Sequence, residues 1–103
     1  SFQWASRAPI AIKPMDDIET MYYLRCMVKD HPGVLSSISG ILGQRGISIS
    51  SVLQKGRKEG QTVPLVILTH RSLEQAVQSA LQEINAFPMV SEPTTLLRME
   101  GVE

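Results

Sequence analysis

The stretch KDHPGVLSSISGILGQRGISIS, residues 29–50, contains the turn and the helix that decide the fold. Asp30, Pro32 and Gly33 are turn formers placed directly before a helix N-terminus. The apolar residues that follow have the spacing of one face of an amphipathic helix: Val34, Leu35, Ile38, Ile41 and Leu42. Gly46 is the glycine expected just beyond a helix end. The stretch therefore predicts a turn, a helix and a new strand from Ile47.

Strand patterns lie on both sides of this helix. TMYYLRCMV, residues 20–28, alternates so that Leu24, Cys26 and Val28 share one face. ISISSVLQK, residues 47–55, places Ile47 and Ile49 on one face and serines on the other. VPLVILT, residues 63–69, is apolar on both faces, which is typical of a central strand. The sequence thus predicts three strands, with the third inside the sheet.

A second helix and a last strand complete the pattern. Ser72 and Gln75 form a capping-box pattern at the start of the helix. Its predicted buried stripe consists of Leu73, Ala76, Val77, Ala80, Leu81 and Ile84. The chain then returns as a strand from Met89 to about Met99.

The element order β-α-β-β-α-β predicts an α+β, ferredoxin-like fold: a four-stranded antiparallel sheet with both helices on one face. The expected strand order is 4-1-3-2, which leaves the second strand at an edge. We expect a linker or docking arm over residues 1–19 and the folded domain over residues 20–103. The predicted core between sheet and helices comprises Leu24, Val28, Leu35, Ile38, Leu42, Ile67, Val77, Leu81 and Ile84.

Composition excludes several classes of function. Ten basic residues balance ten acidic ones, so no nucleic-acid or anionic-membrane partner is expected. No apolar run approaches the ~18–20 residues that span a bilayer, and cytoplasm is the expected compartment. Cys26 is the single cysteine, which leaves no disulfide framework and no cysteine-based metal site.

No catalytic motif is present. His31 and His70 each follow a strand, in turns expected at the same end of the sheet, but neither has a nucleophile or metal-binding partner nearby in sequence. Gly40 and Gly43 lie along the first helix, where we expect them to permit close helix packing, and they form no phosphate loop. The third strand lacks the aromatic and basic residues of an RNA-binding sheet. We therefore predict neither catalysis nor a metal site in this chain.

The function that remains after catalysis, metal binding and RNA binding is the binding of a small ligand before the first helix. A helix N-terminus offers unpaired N–H groups and the positive end of the helix dipole, which suit a carboxylate. Gly33 allows a ligand to approach the backbone, and Pro32 fixes the turn. Asp30 could bind an ammonium group or cap the helix. From spacing alone, a capped turn and an amino-acid site both remain open.

The motif D-x-P-G-V-L, followed by a helix and then by G-I-S-I, resembles the ACT domain, a regulatory module that binds amino acids. With PMDDIETMYYLR, SVLQKG and VPLVILTH, the chain is similar from Pro14 to Glu100 to the C-terminal ACT domain of bacterial homoserine dehydrogenases. The resemblance implies a ligand between two subunits. One subunit would contribute Asp30, His31, Gly33 and the amides of Val34 and Leu35, and the other Ser48. The best-known binders of the family carry asparagine at the positions of Asp30 and Ser48.

The resemblance also implies a function. It predicts a homodimer through the edge strand and the ligand loop, and feedback control of a homoserine dehydrogenase with L-threonine as the expected ligand. The NAD(P) cofactor would bind only the catalytic domain, which this chain does not contain. A structural dimerisation module of the same enzyme, without a ligand, is the alternative.

Overall fold

The computed structural model describes residues 14–54, 56 and 58–99. After a short 3-10 turn, Met15–Asp17, the chain forms five strands and two helices. The strands are β1 (Glu19–Lys29), β2 (Ile49–Gln54), β3 (Thr62–Thr69), β4 (Ser72–Leu73) and β5 (Thr95–Met99). The helices are α1 (Val34–Gln44) and α2 (Glu74–Ala86).

The strands form one antiparallel sheet around β1 and β3. The order is β2-β3-β1-β5, and the short β4, which follows β3 in the chain, pairs with the start of β1. The predicted order 4-1-3-2 is confirmed, since β5 is the fourth strand of that prediction, and β2 lies at an edge. The two-residue β4 was not predicted. It forms because Ser72 and Leu73 continue the ladder opposite Thr20 and Glu19.

The last strand is shorter than predicted. It begins at Thr95, although the chain reaches β1 earlier through a bridge between Val90 and Val28. The N–H of Lys29 donates to the carbonyl of Met89, and that of Ser91 to the carbonyl of Met27. Residues 89–91 therefore cover the end of β1 without forming a continuous strand with β5.

The core lies between the sheet and both helices and joins residues of β1, β3, α1 and α2 in one cluster. Eight of the nine predicted core residues are confirmed as buried, and Leu35 is wrong, because its side chain is 37% exposed. Val34 takes the inward position of the first turn, and the next residue of a helix points about 100° away from it. Leu73 is also exposed, because it belongs to β4 rather than to the buried stripe of α2.

Two local predictions about the helices are wrong. The first is the capping box of Ser72 and Gln75, because Leu73 is the N-cap of α2 and no side chain caps the helix. The Ser72 hydroxyl donates to the His70 carbonyl at 3.0 Å instead. The α2 N-terminus is held by its first N–H, which donates from Glu74 to the carbonyl of Ile18 at 2.8 Å. Gly40 and Gly43 do not mediate close packing, since a Cβ at either position would have no neighbour within 4 Å.

The proposed arm is only partly within the described residues. The Met15–Asp17 turn packs against α2, and β1 begins at Glu19. Residues 1–13, including Trp4, lie outside the described residues, so the boundary at residue 20 stays a prediction. No helix in the described part of the chain is long and apolar enough to cross a membrane.

Candidate functional site

A cleft of about 320 Å³ lies beside the N-terminus of α1. Five of the six predicted site residues line it: Asp30, His31, Gly33, Val34 and Leu35. Four further lining residues were not predicted: Val28, Pro32, Gln54 and Leu65. They come from β1, the loop, β2 and β3, so the cleft lies where the ends of three strands meet the loop before α1. Only the three-dimensional pairing of the strands brings Gln54 and Leu65 to this loop.

The first turn of α1, whose residues Val34 and Leu35 line this cleft, contains unpaired backbone donors. Gly33 is the N-cap, in the left-handed conformation with φ 89°, and no side chain caps the helix. The Val34 N–H donates to the His31 carbonyl at 3.3 Å, whereas the N–H groups of Leu35 and Ser36 have no acceptor among the described residues. The first turn contains no acidic side chain. These unpaired N–H groups and the helix dipole favour a bound carboxylate.

Asp30 is buried, with 4% of its surface exposed, and it does not cap α1. Its Oδ2 accepts the backbone N–H of Lys58 at 2.7 Å. Its own N–H donates to the Gln61 carbonyl at 2.8 Å, and its carbonyl accepts the Gly60 N–H at 3.0 Å. The capping alternative is therefore wrong, because the carboxylate turns away from the helix and toward the turn between β2 and β3.

Ser48 lies far from the cleft within one chain. It precedes β2, and its carbonyl accepts the His70 N–H at 2.9 Å. The residue of β2 that lines the cleft is Gln54, at the other end of the strand. Since a six-residue strand spans about 20 Å, a single chain does not bring Ser48 to the loop.

The two histidines are at opposite ends of the sheet, and the expectation that they share one end is wrong. β1 and β3 are antiparallel, so the turn after one strand lies opposite the start of the other. No group of three or more His, Cys, Asp or Glu side chains in the described residues could hold a metal ion. Cys26 is buried, and burial raises the pKa of its thiol, which keeps it protonated and unreactive.

The N-terminus of α2 contains a buried carboxylate that the sequence analysis missed. Glu74 is 1% exposed and accepts hydrogen bonds from Tyr22 Oη at 2.7 Å, Gln78 Nε2 at 2.8 Å and Arg98 Nε at 2.9 Å. The Arg98 guanidinium, aided by Tyr22 and Gln78, lowers the pKa of Glu74 from 4.5 to about 2 although burial opposes this shift. A signal was available, because Glu74 lies on the same helical stripe as Val77, Leu81 and Ile84.

A family model described as the ACT domain matches residues 22–88. The chain belongs to the ACT domain family. It is 41% identical over 102 residues to a homoserine dehydrogenase of Neisseria gonorrhoeae, covering 99% of this chain and 23% of that protein. It is 40% identical over 101 residues to the homoserine dehydrogenase of Pseudomonas aeruginosa, covering 97% of this chain and 23% of that protein.

Solved structures agree with these relatives. A homoserine dehydrogenase from Thiobacillus denitrificans matches with a TM-score of 0.81 and 36% identity, over 90% of this ACT domain and 20% of that chain. The ACT domain of a GTP pyrophosphokinase from Chlorobium tepidum matches with a TM-score of 0.60 and 12% identity, which shows the fold alone. The ferredoxin-like ACT fold and the resemblance to homoserine dehydrogenases are confirmed. The ACT domain spans less than a quarter of the curated relatives just named.

Proposed function

We propose that this ACT domain is the amino-acid-sensing part of a homoserine dehydrogenase, and that L-threonine binds it to inhibit the enzyme by feedback. The observation that carries the proposal is the α1 N-terminus, whose uncapped N–H groups open into a cleft. The NAD(P)-dependent reaction would belong to the part of the relatives that this chain does not cover, and the chain alone would have no turnover.

The chemistry of the cleft suits an α-amino acid. The ligand carboxylate would accept the N–H groups of Leu35 and Ser36, and Gly33 leaves the backbone accessible because it has no side chain. The ammonium group would lie toward Asp30, the acidic residue of the cleft. A volume of about 320 Å³ is at the lower end of ordinary ligand pockets, which favours a small ligand.

A second copy of the chain would complete the site. β2 is an edge strand that pairs only with β3 among the described strands, and its side chains Val52 and Leu53 are 38% and 52% exposed. Such an edge favours pairing with another strand. If two β2 strands pair antiparallel about a twofold axis, the start of one lies beside the end of the other. Ser48 of the partner subunit would then approach Gln54 and the cleft, where its hydroxyl could bind the threonine side chain.

A structural dimerisation module without a ligand is the second candidate function. The observation in its favour is that Asp30 is already hydrogen-bonded to the turn between β2 and β3, as a purely structural aspartate would be. This candidate predicts the same dimer but no response to any amino acid.

Thermal unfolding of a verified dimer distinguishes the two functions. A ligand at a hundredfold its Kd stabilises a protein by about 2.7 kcal/mol. For a domain of this size, L-threonine should therefore raise Tm by about 10 °C or more. D-threonine is the matched control, because its ammonium and hydroxyl groups cannot both reach their partners. If a full panel of amino acids leaves Tm unchanged, the sensing function is wrong.

A further inference from the structure

Asp30 joins the loop of the cleft to a turn 28 residues later in the chain. Among the described residues, three hydrogen bonds contribute to this connection, two through the backbone of Asp30 and one through its carboxylate. The backbone bonds to Gly60 and Gln61 lie just beyond the end of the β1–β3 ladder at Lys29 and Thr62 and place two residues opposite Asp30. The carboxylate bond to the Lys58 N–H comes in addition, and a side chain without an acceptor could not make it.

The turn itself has a defined geometry. The Gln61 N–H donates to the Lys58 carbonyl at 2.7 Å, which closes a four-residue turn over residues 58–61. Gly60 occupies the third position with φ 78°, a conformation that favours glycine. Because this turn lies between β2 and β3, its conformation bears on the edge strand at which we propose that two chains meet.

We propose that Asp30 is a positioning residue through which an amino acid in the cleft holds the 58–61 turn in place. This inference rests on the proposed function. A carboxylate has about four acceptor positions, so Asp30 can accept the Lys58 N–H and a ligand ammonium group together. The Lys58 N–H and the ligand ammonium group would then both hold the Asp30 side chain in the same rotamer. By linkage, a ligand that orders the turn must bind more weakly whenever the turn is loosened.

Amide hydrogen exchange of the ligand-free protein tests the connection itself. In Asp30→Ala the Lys58 N–H loses its acceptor, and its exchange should become at least tenfold faster. In Asp30→Asn the side-chain oxygen can still accept this N–H, so exchange should stay within about twofold of wild type. The Ala80 amide in α2 is the reference for global unfolding. Equal exchange at Lys58 in wild type and both variants would overturn the positioning role.

The same measurement with L-threonine tests transmission. At a hundredfold its Kd, L-threonine should slow exchange at Leu35 and Ser36 and, by a comparable factor, at Lys58 and Gly60, beyond any change at Ala80. Protection of Leu35 and Ser36 with no change at the turn would overturn transmission.

Affinity measured on turn variants gives the reciprocal test. Gly60 is outside the cleft, so Gly60→Ala touches no ligand but strains the turn, and it should weaken L-threonine binding about fivefold or more. Val77→Ala is the destabilising control, because Val77 is fully buried in α2 and lies in neither the cleft nor the turn. Equal losses of affinity in the two variants would indicate general destabilisation and overturn the inference.

Failure of the proposed function can be told apart from failure of this inference. If no amino acid changes Tm or exchange anywhere, sensing and transmission are both wrong, while the comparison of Asp30→Ala with Asp30→Asn still decides whether the carboxylate holds the turn. If L-threonine raises Tm but the turn does not respond, only the transmission is wrong.

Discussion

The N-termini of the two helices differ in whether the chain itself supplies an anion for the positive end of the helix dipole. α2 begins with Glu74, an acidic residue in its first turn whose buried carboxylate accepts hydrogen bonds from three side chains. α1 begins after Gly33, with no side-chain cap and no acidic residue in its first turn. Since the positive end of a helix dipole attracts an anion, α2 carries its own and α1 does not.

The composition of the two helices differs in the same direction. α1, VLSSISGILGQ, contains three serines and two glycines, which are modest or poor helix formers. α2, EQAVQSALQEINA, is rich in alanine, glutamine and glutamate and contains no glycine. The helix that borders the cleft is therefore the weaker one by itself. A ligand that binds its N-terminus would therefore stabilise the helix with the lower intrinsic propensity.

Removal of the internal anion of α2 should produce the largest loss of stability. Glu74→Ala leaves the Tyr22 hydroxyl and the Arg98 guanidinium without their buried partner, and we expect a loss of about 3–4 kcal/mol in urea unfolding. Glu83→Ala is the matched control, because Glu83 pairs with Arg45 at 2.8 Å on the surface and is 48% exposed. That variant should lose less than about 1 kcal/mol. Similar losses in both variants would contradict the role assigned to the Glu74 network.

Acid should weaken the same region. The pKa of Glu74 is lowered in the folded state to about 2 from 4.5, so the unfolded chain binds a proton there at a higher pH than the folded chain does. The stabilisation is complete above about pH 5 and is lost as the pH falls through 4.5 toward 2. Its magnitude is at most about 3 kcal/mol, because water screens Arg98, whose side chain is 37% exposed.

Glu74→Gln isolates this contribution, since glutamine has a similar shape and does not titrate. The difference in unfolding free energy between wild type and Glu74→Gln should shrink as the pH falls from about 6 to about 3. A difference that stays constant over this range would show that Glu74 has an ordinary pKa in the folded protein.

The α1 N-terminus should respond to an external anion where α2 cannot. With L-threonine at a hundredfold its Kd, wild type should gain about 2.7 kcal/mol of stability. Ser36→Pro removes one N–H that makes no bond within the helix, and a proline in the first turn of a helix is tolerated. It should reduce this gain by about half or more, whereas Ser36→Ala, which keeps the N–H, should not. Gly33→Val is a poor test, because φ 89° at this position strains any β-branched residue.

A full gain of stability in Ser36→Pro would show that the ligand carboxylate does not bind these amides. Loss of the gain in both Ser36 variants would instead indicate that the ligand needs the hydroxyl group, and the proposed pose would be wrong.

The sequence predicted the fold well because burial patterns are local. The alternation in β1 occupies a few consecutive residues. The buried stripes of α1 (Ile38 and Leu42) and of α2 (Val77 and Ile84) each occupy a few helical turns. The burial predictions that failed concern single side chains at element ends. Leu35 and Leu73 lie where a helix begins, and a shift of one residue there exchanges a buried position for an exposed one.

Part of the candidate site was also predictable. The amides of Val34 and Leu35 were the predicted donors. The Leu35 N–H has no acceptor among the described residues, whereas the Val34 N–H donates to the His31 carbonyl, and the unpaired N–H of Ser36 was not predicted. The partners of Asp30 were not predictable, because Lys58 and Gly60 reach it only through the pairing of β1 with β3. The Glu74 network joins residues of β1, α2 and β5 and was missed for the same reason.

Strengthening α1 directly should give the smallest effect, and with the opposite sign. Gly40 is exposed in the middle of α1, and a Cβ there would have open space around it. Gly40→Ala should therefore raise the unfolding free energy by about 0.5–1 kcal/mol, because alanine loses less backbone entropy on helix formation. Gly46→Ala should lower it by about 1 kcal/mol, since Gly46 has φ 72° just beyond the helix. Urea unfolding of the two variants measures both effects, and destabilisation by Gly40→Ala would mean that another surface, such as a second copy of the chain, packs closely against this face of α1.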